Sequence, residues 1–172
     1  MKKILFVLLV SLTIMPVVLS GCSNHIFKTK SDIAINEVRT IANNSYTKYY
    51  LKNNKSFSSF YDQTAINDGI YPKNIVKNNT AYNPWNGVFS ISSLSLFGVN
   101  YEYILNMTNM PAKDCLKIGL STYKLKRFIS FDFLNNPLVA DTPAKIKQLC
   151  STVKTGNVSV LWEIGVTPFQ RK

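Results

Sequence analysis

The sequence predicts an α+β domain in which an amino-terminal helix packs on an antiparallel sheet, with a carboxy-terminal region that a disulfide would clip. Three observations point there. Apolar residues keep helical spacing between positions 31 and 51, the period changes to two beyond Gly87, and Cys115 and Cys150 form an even pair late in the chain. Strands and helices fall in separate runs rather than alternating, which favours an antiparallel sheet over a doubly wound one. The 172 residues, 46% of them hydrophobic, suffice for one packed core. No internal repeat is evident, and no linker divides the chain after its first thirty residues.

Those first residues form a separate unit. Residues 4–19 read ILFVLLVSLTIMPVVL without a charge, directly after Lys2 and Lys3. A cationic start, an apolar core and small residues at a cut site make a secretory leader. The run is shorter than the roughly 20 apolar residues of a membrane span and is interrupted by Pro16. Leu19, Ser20, Gly21 and Cys22 resemble the lipobox of bacterial lipoproteins. That resemblance implies diacylglycerol on the Cys22 thiol, cleavage just before it, and an acylated new amino terminus. Several chains would anchor the protein stably, each buried methylene contributing about 0.8 kcal/mol. Ser23 follows, and lipoproteins without Asp there commonly proceed to the outer membrane, so an exported, lipid-anchored protein of the cell envelope is expected. The alternative is a plain secretory leader with an incidental cysteine. The expected division is a signal peptide at 1–21, a tether at 22–30 (CSNHIFKTK), and a globular domain at 31–172. Removing Lys2 and Lys3 lowers the formal net charge from +11 to +9.

Ser31 or Asp32 can cap the first helix, whose stripe of Ile35, Val38, Ile41, Ala42, Tyr46 and Tyr49 carries it to about Leu51. Residues 52–87 are rich in Asn, Ser, Gly and Pro and read mostly as loop with one helical turn. So long a connection is either functional or pinned against the core. Phe89 and Ile91, then Tyr101, Tyr103, Leu105 and Met107, alternate with polar residues and form a hairpin around FGVN. Pro111 and Asp114 open a helix with Ala112, Cys115, Leu116, Gly119, Leu120 and Tyr123 on its apolar face. Ile129, Phe131 and Phe133 give a third strand, Thr142 and Pro143 start a helix reaching Cys150, and Val158, Val160, Trp162 and Ile164 give the last strand. In an exported protein Cys115 and Cys150 are expected to be oxidised. A bridge would contribute roughly 3–4 kcal/mol; two free buried thiols are the alternative.

The run from Gly69 to Cys115, with DGIYPKNIV, NPWNG leading into VFSIS, and YEYILNMTNMPAKDC, resembles the globular domain of type IVb pilins, particularly the major subunits of conjugative thin pili. Gly69 and Pro72 match that family's G-x-x-P element. Asn83, Trp85 and Gly87 match its N-x-W-G-G turn, with Asn86 replacing one glycine. Cys115 matches the cysteine after the hairpin, and Cys150 falls where the second cysteine of the carboxy-terminal disulfide region would lie. The resemblance covers residues 31–165 and implies a pilin-like fold. The chain also departs from it. Pilins keep their apolar helix after cleavage, with Glu at the fifth mature position, whereas here the apolar run precedes the cut and residues 22–26 are CSNHI.

Catalytic chemistry finds little material. His25 is the only histidine and sits in the tether, so no nucleophile–histidine pair or His-built zinc site is expected. Asp62 and Asp68 in the long loop carry no glycosidase spacing, and no phosphate-cradling glycine loop occurs. A non-enzymatic protein without cofactor or metal is expected. Its partners would be the membrane, through acyl chains on Cys22, and pilus or secretion-machinery proteins, as an accessory or assembly component of a type IV pilus or related conjugation apparatus. The alternative is a surface binding module, an adhesin or a DNA- or glycan-binding head, using basic residues such as Lys124, Lys126 and Arg127.

Overall fold

The computed structural model describes residues 28–96, 99–125, 128–133 and 136–165; the leader, Cys22, Lys126 and Arg127 lie outside them. Helix α1 (Lys30–Asn44) begins two to three residues earlier than the expected caps place it, because Thr29 rather than Ser31 or Asp32 is its cap. The Thr29 hydroxyl accepts from the Asp32 amide while Asp32 accepts back from the Thr29 amide, a reciprocal capping box. Hydrogen bonds from Lys117 and then Thr29 lower the Asp32 pKa to about 2. Ser31 instead donates to Asp114 across the fold at 2.6 Å.

The helix continues through a π-helical turn, Ser45–Tyr50, in which the Leu51 amide reaches back to the Tyr46 carbonyl. The widened turn lets Tyr49 and Tyr50, adjacent in sequence, both enter the core. Of the expected stripe, Ile35, Val38, Ile41 and Tyr49 are buried, Ala42 and Tyr46 partly so, and Ala34 joins them.

The segment read as loop is pinned to the core. Phe57 and Phe60 are buried and pack around Tyr103, at ring separations of 4.8 and 5.1 Å. Helix α2 (Asp62–Asn67), a 3₁₀ turn (Lys73–Ile75) and a small hairpin follow, made of β1 (Val76–Lys77) and β2 (Thr80–Tyr82). These two strands were not foreseen. Asn78 and Asn79 connect them with φ of 48° and 55°, the left-handed pair that a two-residue hairpin needs.

β3 (Val88–Leu96) and β4 (Val99–Pro111) form the expected hairpin. A 3₁₀ turn leads into α3 (Cys115–Thr122); then come β5 (Phe128–Phe133), β6 (Asn136–Ala140), α4 (Pro143–Thr152) and β7 (Asn157–Gly165). The seven strands lie in the order β1-β2-β3-β4-β7-β5-β6, with every neighbouring pair antiparallel. The last strand is thus inserted at the centre. Its buried Val158, Val160, Trp162 and Ile164 alternate as the period-two pattern requires. Ile91, Leu105 and Trp162 stand side by side across β3, β4 and β7 under α1 and α3. The Trp162 indole N–H donates to Thr122 at 2.9 Å, tying the sheet to the end of α3.

On α3 the buried face is Ala112, Cys115, Ile118, Gly119 and Thr122, not one including Leu116, which is 41% exposed. Residues 112–114 turn with a three-residue period, which advances the phase of the helix behind them. Thr142 and Pro143 open α4 as expected, the Thr142 hydroxyl accepting from the Lys145 amide. Cys115 and Cys150 are bridged, joining α3 to α4 with Cα atoms 5.7 Å apart.

Candidate functional site

The residues singled out by their motifs gather in two places along the first half of β3. The first is the turn preceding it. Asn83 is buried, and its side-chain oxygen accepts from the backbone amides of Trp85 and Gly87 at 2.9 and 3.1 Å. Its side-chain nitrogen donates to the Thr108 carbonyl at 2.6 Å. The turn is closed by the Asn83 amide bonding the Gly87 carbonyl and the Asn86 amide bonding the Asn83 carbonyl. Asn86 stands where the family's turn has a glycine, and its φ of 62° shows why asparagine is tolerated there.

Thr108 belongs to a bulge in β4. Met107 pairs with Val160 and Met110 with Val158, so Thr108 and Asn109 together oppose Ser159. The bulge aims the Thr108 carbonyl at Asn83, while the Thr108 hydroxyl accepts from the Val88 amide. Asn109, at φ 58°, donates to the Trp85 carbonyl and accepts from Asn157 of β7. Turn, bulge and central strand are therefore one locked unit. Thr108, Asn109 and Asn157 had no signal in the sequence, because a bulge partner is defined only by register.

Truncating Asn83 to alanine removes three hydrogen bonds and leaves the buried Gly87 amide and the half-buried Trp85 amide without their acceptor. A loss of roughly 2–4 kcal/mol of stability is expected. Urea unfolding of Asn83→Ala against Asn83→Asp checks the assignment, since aspartate keeps the acceptor but presents an oxygen to the Thr108 carbonyl. Should alanine unfold at the wild-type urea concentration, the turn is not the lock that its geometry implies.

The second place is the Gly69–Pro72 element. The Gly69 carbonyl accepts from Lys48 at 2.8 Å and the Ile70 carbonyl from Asn44 at 2.9 Å, so the element is stitched to the end of α1. Asp62, which the sequence places in the long loop, accepts at 2.6 Å from both the Tyr71 hydroxyl and the Ile91 amide of β3. Burial, followed by this bond, holds the Tyr71 hydroxyl well above the ordinary tyrosine range. Asp62 is thereby committed to structure, and it covers an outward-facing amide on β3.

Cys115 and Cys150 lie apart from both places, and Lys124 is exposed in the turn after α3. Among the described residues no three metal-ligating side chains come together, and no helix is long and apolar enough to cross a membrane.

Comparison with known proteins agrees with this geometry. The family model for the PilS N-terminal domain matches residues 28–161. No curated protein matches the chain. Among solved structures, the chain is similar to the type IV b pilin from Salmonella typhi, with a TM-score of 0.56 and 17% identity over 77% of this chain and 98% of that one. That likeness shows the fold, a pilin-type helix on an antiparallel sheet. The family match spans well over half of the sequence, and the chain belongs to the PilS N-terminal family.

Proposed function

We propose that this PilS-family chain is a non-enzymatic, lipid-anchored pilin-like protein, an accessory or assembly component of a type IV pilus or a related secretion or conjugation apparatus. The observation that carries the reading is the capped start of α1. A filament subunit needs its apolar segment continuous with this helix, whereas here a capping box at Thr29 and Asp32 ends the helix on its amino-terminal side. Residues 23–29, SNHIFKT, then lie between the helix and Cys22, beyond the apolar run at 4–19. A helix closed in this way suits a head on a tether, with Cys22 supplying the anchor.

Two measurements test the two halves of the proposal. Metabolic labelling with a fatty acid should mark the wild-type protein, and Cys22→Ser should lose the label and leave the membrane fraction. Deletion of the gene should abolish or reduce piliation and conjugation. An unlabelled protein with an intact leader sinks the anchor, and normal piliation without the protein sinks the assembly role.

Charge favours a second reading, in which the head binds a polyanion. Several of the nine acidic residues are engaged or buried: Asp32, Asp62 and Asp114 in hydrogen bonds, Glu37 and Glu102 in the interior. Asp32 is further neutralised by an ion pair with Lys117 at 2.7 Å. Lysines such as Lys52, Lys55, Lys124 and Lys147 are left facing solvent. Retention on heparin or DNA that falls steeply with salt supports this reading, and passage through either matrix at low salt removes it.

A further inference from the structure

Helix α1 is held to the body by polar contacts along two flanks. On one, Ser31 bonds Asp114 and Arg39 bonds the Ser121 carbonyl of α3. On the other, Asn44 and Lys48 bond the carbonyls of Ile70 and Gly69. Glu37 lies on this second flank, two turns before Asn44, and it breaks the pattern. Its side chain is inside, with the residue 7% exposed, yet its Oε2 has no hydrogen-bond partner. An ionised carboxylate left this way is costly, whereas a neutral one is tolerable.

We propose that Glu37 makes the docking of α1 on the protein body proton-dependent, the helix seating firmly when the carboxyl is neutral and loosening when it ionises. The groups around it offer no compensation. Within two turns on its own face are Lys30, Ile33, Ala34, Thr40, Ile41 and Asn44; the one ionisable group among them, Lys30, is exposed at the start of the helix. Asp32 and Arg39 lie on the opposite flank, committed to Lys117 and to the Ser121 carbonyl. Burial raises the Glu37 pKa from the ordinary 4.5 to about 7. The folded protein therefore holds a proton that the unfolded chain releases near 4.5. The contribution of Glu37 to stability is full below that value, falls as pH rises from there to about 7, and is level beyond. For a mature surface in contact with changing external pH, such a carboxyl would gate how tightly the helix is held.

The test uses the full-length, membrane-extracted protein and its Glu37→Gln and Glu37→Leu variants. Across that window the wild-type unfolding equilibrium constant should rise on the order of 10²-fold relative to both variants. Amide exchange corrected for intrinsic rates should accelerate over residues 33–41 of α1 at pH 8, more than over β4 and β7. Direct observation of the Glu37 carboxyl by NMR needs no variant and should give a midpoint near 7. A midpoint near 4.5, parallel wild-type and variant pH profiles, or equal acceleration of exchange in α1 and the central strands overturns the proposal.

Discussion

Gly87→Ala is expected to destabilise the protein by about 3 kcal/mol or more, lowering Tm by roughly 6–12 °C for a domain of this size. The reason is one close approach. A Cβ on Gly87 would sit 2.0 Å from the Thr108 carbonyl oxygen and 2.7 Å from the Asn83 side-chain nitrogen. Neither neighbour can swing aside. The carbonyl belongs to the backbone of the β4 bulge, whose position is set by pairing with β7 on either side, and Asn83 is fixed by its three bonds. Relief requires moving the bulge or opening the turn, and either breaks the Val88–Thr108 contact that starts β3. Gly156→Ala supplies the control. That glycine has φ 88° but nothing within 4 Å of where a Cβ would stand, so only the conformational penalty applies, about 1–2 kcal/mol. Thermal unfolding of the two variants separates the effects, and a loss for Gly87→Ala no larger than that for Gly156→Ala would show that the Thr108 carbonyl yields to the added Cβ.

What the sequence disclosed follows from how local each signal is. The amphipathic stripe of α1, the β3–β4 hairpin and the alternation of β7 are periodicities within single segments, and each matches an observed element. The Asn83–Gly87 turn was legible as a motif, but its partner in the β4 bulge was not, because nothing local marks Thr108 and Asn109 as opposing a single residue of β7. β6 escaped notice for another reason. Asn136–Ala140 is five residues containing a proline, and it is a strand only because β5 lies beside it at the sheet's margin. β1 and β2 did carry a signal, the Asn78–Asn79 pair, which a reading of the region as irregular passed over. Glu37 looks like any polar helix residue until the neighbouring segments cover it. Asp62 likewise gains its role only when α2 meets β3.

Removing the bridge by a Cys115→Ala, Cys150→Ala double substitution should cost roughly 3–4 kcal/mol, on the chain-entropy argument for a separation of 35 residues. The loss should also be uneven across the fold. The chain between the two cysteines contains β5, β6 and α4, and among the described residues the strand pairing that joins this group to the rest of the sheet is that of β5 with β7. β3 and β4, by contrast, are held by each other, by β2 and β7, and by the aromatic cluster of Phe57, Phe60 and Tyr103. Without the bridge, α4 retains its buried Ile146 and Leu149 but loses its covalent hold on α3. Hydrogen exchange should therefore accelerate first in β5, β6 and α4, at denaturant concentrations where β3 and β4 stay protected. A double variant that loses protection evenly across all seven strands would mean that the sheet unfolds as one cooperative unit, and that the bridge stabilises the whole domain rather than its margin.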